Sequence, residues 1–148
     1  MRRLLVVAAL VGVTLVGCDD DDDPTGPDIE TLVATLTGAA EAPGPGDADG
    51  TGTAEIELND DDNEVCWDID VANITLPAAA AHIHEAAVGV AGPVVVTLSA
   101  PLANGTADGC VDATDELVDD IIANPADYYV NVHTSDFQGG AVRGQLSN

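Results

Sequence analysis

Short segments in which apolar and polar residues alternate recur along the chain from residue 29 onward. In Thr51–Leu58, the side chains of Ala54, Ile56 and Leu58 share one face of an extended strand, with glutamates on the opposite face. Further segments of this kind, alternating or rich in β-branched residues, are Ile29–Thr37, Glu64–Ile74, Ala81–His84, Val94–Leu98, Tyr128–His133 and Ala141–Leu146. Because turn-forming Gly, Pro, Asn and Asp separate them, the pattern predicts an all-β sandwich or barrel.

One segment has helical periodicity instead. In Thr114–Asn124, apolar residues recur at intervals of three and four, at Leu117, Val118, Ile121 and Ile122. Thr114 is suited to the N-cap, and Asp115 and Glu116 suit the first turn, where carboxylates interact favourably with the helix dipole. Pro125 marks the end. The sequence therefore predicts one short helix near residues 114–124, packed against the sheet.

The N-terminal residues have a different character. Arg2 and Arg3 precede an apolar run that ends at Val16, which has the length of a signal-peptide core and is too short to span a bilayer. The following Gly17-Cys18 completes a sequence that resembles the bacterial lipobox. This resemblance implies that residues 1–17 are a lipoprotein signal peptide and that Cys18 is lipidated. An ordinary secretory signal cleaved nearby is the alternative.

A run of five aspartates, Asp19–Asp23, follows the cysteine, and Pro24 and Pro27 come directly after it. Like charges repel and prolines block regular structure, so residues 18–28 are expected to form an extended tether to a domain at 29–148. A lipid on Cys18 would make the membrane a partner through the anchor. The predicted location is the cell envelope, outside the cytoplasm, in the periplasm or at the cell surface.

The charge is strongly one-sided, with 27 acidic residues against 3 basic ones and a net charge of −24. Binding to nucleic acid or to an anionic lipid surface requires a basic face, so both classes are excluded. Removal of the signal peptide would leave Arg143 as the only cation. A lone arginine among carboxylates usually pairs structurally with one of them, and contact with an anionic ligand is the alternative. The turn Asp60–Asp62 is interpreted as a solvated hairpin tip, with calcium binding as the alternative.

Two cysteines remain after Cys18. In an oxidising compartment, Cys66 and Cys110 are expected to form a disulfide, with two buried free thiols as the alternative. Their spacing does not match that of a structural zinc site.

The histidines are candidates for metal binding. His82 and His84 alternate within a predicted strand and therefore share a face, and Tyr129, Asn131 and His133 share a face of another strand. If these strands are neighbours, the three imidazoles converge in an arrangement that suits copper or zinc. Surface histidines hydrogen-bonded to turns are the alternative. Tyr129 is a candidate ligand contact beside this face, with edge packing equally open.

Two blocks of sequence carry a family resemblance. Ala81–His84 with Gly92–Leu98, and Tyr129–Thr134 with Gly139–Leu146, closely resemble the CHRD domain, the module named after chordin and widespread in bacterial exported proteins. The opening Leu36-Thr37-Gly38 fits the same pattern. In chordin-like proteins the module belongs to extracellular proteins that bind growth factors. The resemblance therefore implies a non-enzymatic binding or interaction module in the cell envelope, with an extracytoplasmic protein or a metal ion as its ligand.

The layout of the histidine strands is also similar to that of copper–zinc superoxide dismutase, a Greek-key β-sandwich. This similarity implies a Greek-key fold with His82, His84 and His133 as copper-type ligands. The chain has no further histidine to bridge two metals, and its net charge opposes the approach of superoxide. The alternative function is therefore a single-site copper or zinc protein, and redox activity of the dismutase type is the less favoured form of it.

Overall fold

The structure is a computed structural model that describes residues 28–148. Eight strands alternate with short connections, together with one α-helix, α1 (Asp115–Ala123), and two 3₁₀ turns, Gly38–Ala40 and Pro125–Asp127. The strands are β1 (Ile29–Thr37), β2 (Thr51–Asn59), β3 (Glu64–Ala72), β4 (Ala80–Glu85), β5 (Val94–Leu98), β6 (Thr106–Asp112), β7 (Tyr128–His133) and β8 (Val142–Gln145).

The N-terminal predictions fall outside these residues. The signal peptide over 1–17, the lipidation of Cys18 and nearly all of the tether over 18–28 belong to the part of the chain that is not described. Within residues 28–148, no helix is both long enough and apolar enough to span a membrane.

The strands form one antiparallel sheet in the order β5-β4-β7-β8-β1-β2-β3-β6, which curls into a nearly closed barrel. Consecutive strands β3 and β4 are not neighbours, because β3 pairs with β6 and β4 pairs with β7. The connections from β3 to β4 and from β5 to β6 therefore cross between the two ends of the sheet, as they do in Greek-key arrangements. The prediction of an all-β sandwich or barrel is confirmed.

The core forms from the apolar side chains that lie on one face of each strand. Ala54, Ile56 and Leu58 of β2 are buried, as their alternation predicts, and β3 buries its own apolar phase against them. That phase includes Trp67, whose indole Nε1–H donates to Ser99 Oγ at 3.0 Å. Burying the polar end of an indole with a hydrogen-bond partner avoids the cost of an unsatisfied donor.

The predicted helix is also present. Helix α1 begins after Thr114, whose side chain accepts a hydrogen bond from the N–H of Leu117, so this threonine is the N-cap. Val118 and Ile121 are buried against the sheet, and Pro125 opens the 3₁₀ turn that follows. The amphipathic pattern of residues 114–124 therefore predicted both the element and the face that it buries.

Strand β6 is the element that the sequence pattern did not predict. Its middle residue is Gly109, and glycine is depleted in strands because it has no side chain to pack. Here the absence of a side chain is required, since a Cβ on Gly109 would lie 2.7 Å from Trp67 Cζ2. The indole of the neighbouring strand β3 occupies the space that the glycine leaves.

A disulfide joins the two strands at this edge of the sheet. Cys66 of β3 and Cys110 of β6 are directly opposite each other in the strand register, and their sulfurs are bonded. The predicted pairing is confirmed, and it links the edge strand β6 covalently to the body of the sheet.

Candidate metal centre

Strands β4 and β7 are neighbours, and this pairing brings the histidines together. His82 lies opposite Asn131, and His84 lies opposite Tyr129, in the antiparallel register. The intervening Ile83 points into the core, as period-two geometry requires. On the other face, His82, His84 and His133 each offer a ring nitrogen, and these atoms lie within 4.8 Å of one another.

The tautomer of His133 is set by a backbone carbonyl. Its Nδ1 lies 3.0 Å from the carbonyl oxygen of Gln138. A carbonyl oxygen can only accept a hydrogen bond, so Nδ1 must carry the proton and Nε2 must carry the lone pair. That lone pair accepts a hydrogen bond from Nδ1–H of His82 at 3.2 Å, so His82 would have to give up or move this proton before its Nδ1 could bind a metal. Metal-bound histidines characteristically donate their second ring N–H to a carbonyl or carboxylate in this way.

His84 is held in the same manner. Its ring is buried, and its Nδ1 donates to the carbonyl oxygen of Gly92 at 2.9 Å. The remaining nitrogen, Nε2, lies 3.0 Å from Oδ1 of Asn131. A metal ion bound by His84 would therefore have to displace the Asn131 side chain from this nitrogen. The sequence placed Asn131 on the histidine face without giving it this role.

The spacing of the nitrogens suits a transition metal. Two nitrogens that each bind one ion at about 2 Å lie roughly 2.8–3.3 Å apart in square-planar or tetrahedral coordination. His82 Nδ1 and His133 Nε2 already have such a separation, 3.2 Å. The third ring, that of His84, offers a nitrogen within 4.8 Å of the other two, and binding by all three would require this nitrogen to leave its present hydrogen-bond partner.

The environment also favours the form of the rings that binds metal. Burial lowers the pKa of His82, and the nearness of two further imidazoles, first His133 and then His84, lowers it more. Burial lowers the pKa of His133 as well, opposed by its hydrogen bond to Gln138. A metal binds only the neutral imidazole, so the lowered pKa of both rings favours the form that can bind it.

Tyr129 lies beside the cluster and contacts one of the candidate ligands. Its ring is parallel to that of His84 within 3°, with the centroids 4.8 Å apart. The guanidinium carbon of Arg143 lies 3.4 Å from the centroid of the same tyrosine ring. The phenol oxygen accepts a hydrogen bond from the N–H of Gly92. Tyr129 is therefore buried, and its ring supports His84.

Arg143 fastens the loop between β4 and β5. Its side chain is 1% exposed, and its two terminal nitrogens donate to the carbonyl oxygens of Val90 at 2.7 Å and Ala87 at 3.1 Å. Among the described residues, its hydrogen-bond acceptors are these carbonyls and the Gln145 amide, not the carboxylate expected from the sequence. The guanidinium thus orients the segment that carries Gly92, the partner of His84.

Replacing Arg143 with lysine is expected to loosen this loop. An ammonium cannot reproduce both the fork to two carbonyls and the stack on Tyr129, so we expect a loss of about 1–3 kcal/mol in the free energy of unfolding. Hydrogen exchange should show faster exchange at the N–H groups of Val90 and Gly92 than in the wild type. Unchanged exchange at these amides would contradict the fastening role.

One buried glutamate was not predictable from the sequence pattern. Glu41 is 9% exposed, and its Oε1 has no hydrogen-bond partner among the described residues. Its carboxylate lies against Gly140, which has φ of 136°, and a Cβ on this glycine would come within 2.4 Å of the carboxylate oxygens. Burial raises the pKa of Glu41 to about 7, although nearby Arg143 opposes the shift.

The glutamate predicts a distinct pH dependence. Because the pKa in the folded state lies above the ordinary value of 4.5, the contribution of Glu41 to stability is fully present below that value and is lost as pH rises through about 7. Glu41→Gln removes the titration. We expect the difference in melting temperature, variant minus wild type, to be more positive at pH 8 than at pH 5. An equal difference at both pH values would contradict the shifted pKa.

A second group of metal-ligating residue types lies at the other edge of the sheet and is chemically different. Glu64, Cys66 and Cys110 also have ligand atoms close together. The two sulfurs are joined in the disulfide, so neither is available as a thiolate ligand.

The turn Asp60–Asp62 lies at the tip of the β2–β3 hairpin, where Asp62 Oδ2 accepts a hydrogen bond from the Asn59 amide.

The fold and the site together define a class of protein, an antiparallel β-barrel with three histidines clustered on neighbouring strands. A sequence profile of the CHRD domain matches residues 32–146, which include the histidine strands and seven of the eight strands in full. The chain belongs to the CHRD domain family. No curated protein shows significant similarity to it in sequence.

Proposed function

We propose that this CHRD protein is a lipid-anchored, non-enzymatic binding module of the cell envelope, and that it binds one transition-metal ion through His82, His84 and His133. The observation that carries the proposal is the convergence of three ring nitrogens within 4.8 Å. The carbonyls of Gln138 and Gly92 support it, because each takes the Nδ1 proton of one ring and leaves the lone pair on Nε2, although Nε2 of His84 must first leave Asn131.

Copper is the favoured metal. Imidazole nitrogens suit copper and zinc, whereas calcium and magnesium prefer the oxygen ligands that this cluster lacks. For a given set of nitrogen ligands, Cu²⁺ binds more tightly than Zn²⁺. A single ion is proposed because the chain contains only these three histidines.

The surroundings of the cluster argue for binding rather than turnover of an anion such as superoxide. Arg143, the one cation in residues 28–148, is buried and donates to backbone carbonyls. The strongly acidic chain would repel an anionic substrate before it reached the histidines. These two features support a site that holds a metal. They argue against a site that attracts superoxide.

Calorimetric titration of the full chain in detergent with copper(II) and with zinc(II) tests the metal part of the proposal. We expect one copper per chain, tighter binding of copper than of zinc, and loss of the site in His82→Gln and His133→Gln variants. A variant with Asp60, Asp61 and Asp62 all changed to Asn should keep the site. Copper binding that survives both histidine substitutions, or no binding by the wild type, would refute it.

The lipid anchor has a separate test. The lipobox-like sequence that ends at Cys18 supports it, and the CHRD membership is consistent with an exported protein. In bacterial cells that express the chain, the wild type should partition with membranes and the Cys18→Ser variant should not. Equal distribution of the two proteins would argue against lipidation.

A further inference from the structure

Asn131 occupies the middle of the histidine face. In the strand register it lies opposite His82 of β4, and it precedes His133 by two residues on β7, so all three side chains lie on the same side of the sheet. Its side chain is 3% exposed. Among the described residues, that side chain makes one hydrogen-bond contact, in which its Oδ1 atom lies 3.0 Å from Nε2 of His84. This asparagine therefore meets a candidate metal ligand directly.

The nitrogen that Asn131 contacts is the one that faces the other two histidines. Nδ1 of His84 is turned towards the loop between β4 and β5, where it donates to the carbonyl oxygen of Gly92. Nε2 is turned towards β7, the strand that also carries His133. A metal ion shared by the three rings would therefore have to reach His84 at Nε2, the position that the Asn131 amide holds.

The chemistry of this contact decides which end of the amide takes part. With its proton on Nδ1, the neutral His84 ring has a lone pair on Nε2, and a lone pair only accepts hydrogen bonds. The amide oxygen has no hydrogen to give, whereas the amide nitrogen has two. Half a turn about the Cβ–Cγ bond of Asn131 exchanges these atoms and breaks no other hydrogen bond of the side chain within residues 28–148. We therefore assign Nδ2–H of Asn131 as the donor to His84.

We propose that Asn131 is a built-in competitor for the metal ion, because its amide holds the Nε2 lone pair of His84 until an ion displaces it. This inference rests on the proposed metal site and adds a control on its affinity. Coordination by His84 requires the amide to turn away and give up its hydrogen bond. The net contribution of one neutral hydrogen bond corresponds to roughly a fivefold change in a binding constant, so Asn131 weakens metal binding by about that factor.

A purely supporting role for Asn131 predicts the opposite sign. If the amide served only to hold His84 in place, removing it would free the ring to move and would weaken metal binding. His84 has two other supports, however, in the stacked ring of Tyr129 and the carbonyl oxygen of Gly92. The ring therefore stays oriented without Asn131, and we expect removal of the amide to strengthen binding.

Calorimetric titration of the full chain in detergent with copper(II) tests the proposal. We expect Asn131→Ala to bind one copper per chain about fivefold more tightly than the wild type, because the Nε2 lone pair no longer has a donor to lose. The matched control is Asn104→Ala, which removes an amide that donates to Thr106 in another loop. This control should bind copper as the wild type does. If Asn131→Ala fails to fold by circular dichroism, Asn131→Val replaces it, because valine suits a strand and has no donor.

Nitrogen-15 magnetic resonance of the imidazole rings gives a readout that requires no metal. Before copper is added, we expect Nε2 of His84 to carry a lone pair that accepts a hydrogen bond from the Asn131 amide. In Asn131→Ala, its resonance should move towards that of a nitrogen without such a donor. A proton on Nε2 of His84 in the wild type would overturn the proposal.

The pattern of copper affinities separates this proposal from the proposed function. Equal or weaker binding by a folded Asn131 variant overturns the competitor and leaves the metal site standing. Binding by the Asn131 variant but not by the wild type supports the competitor and refutes metal binding as the function of the natural chain. No binding by either protein refutes the metal site, and the competitor with it.

Discussion

Copper(II) is expected to raise the melting temperature of the wild-type chain by on the order of 15 °C when free metal exceeds the dissociation constant about a thousandfold. A ligand that binds only the folded state at that excess stabilises it by about 4 kcal/mol. In a domain of this size, each kcal/mol corresponds to roughly 4 °C. Differential scanning calorimetry with and without copper measures the shift directly.

Histidine variants make the same measurement specific. Replacing His133 with glutamine removes the nitrogen that lies 3.2 Å from His82 Nδ1, so the copper-induced shift should fall to a small fraction of the wild-type value. The variant with Asp60, Asp61 and Asp62 changed to Asn is the matched control and should retain the full shift. Equal shifts in the wild type and in His133→Gln would place the stabilising copper elsewhere.

Removal of the disulfide is expected to have an effect of similar size. Cys66 and Cys110 are 44 residues apart in sequence, and a crosslink over a loop of this length stabilises by about 3–4 kcal/mol in the chain-entropy treatment. The double variant Cys66→Ala/Cys110→Ala should therefore melt on the order of 10–15 °C lower than the wild type. The loss should be concentrated in β6, which pairs in the sheet with β3 alone.

Chemical reduction provides the control for this variant. A thiol reductant should lower the melting temperature of the wild type to nearly that of the double variant and should leave the double variant unchanged. A double variant as stable as the oxidised wild type would show that the crosslink does not stabilise the folded state.

The strands of the fold were largely predictable because one face of each is buried. The alternation in β2 and β3 identified the buried residues, and the capping pattern around Thr114 identified α1. Strand β6 was not predictable, because Gly109 interrupts the alternation of its side chains. Glycine is required there only because the indole of Trp67, on the neighbouring strand, occupies the space that a side chain would need. That contact depends on the pairing of β3 with β6, which no local pattern encodes.

The candidate site was predictable only in part, for a related reason. Period-two geometry placed His82 and His84 on one face, but their approach to His133 required β4 and β7 to be neighbours. The groups that orient the rings are backbone carbonyls of loops, at Gly92 and Gln138. Any residue type provides a carbonyl, so the sequence carries no signal for them.

The hydrogen-bond partners of Arg143 were also not predictable from the sequence, although the residue itself was easy to single out. Its charge was conspicuous in the sequence, and a carboxylate partner was the natural expectation. The folded chain places it instead over Tyr129, with its hydrogen bonds directed to the carbonyls of Ala87 and Val90. The guanidinium satisfies polar backbone groups of a loop that has no secondary-structure partners, a need that arises only once the loop lies over the barrel.

The most direct test of the account is the electron paramagnetic resonance spectrum of the chain loaded with one equivalent of copper(II). Coordination by His82, His84 and His133 predicts a single species with hyperfine coupling to three nitrogens. The His84→Gln variant should show coupling to two. A wild-type spectrum that indicates only oxygen ligands, or one that is the same in the His84→Gln variant, would contradict a metal site at the three histidines.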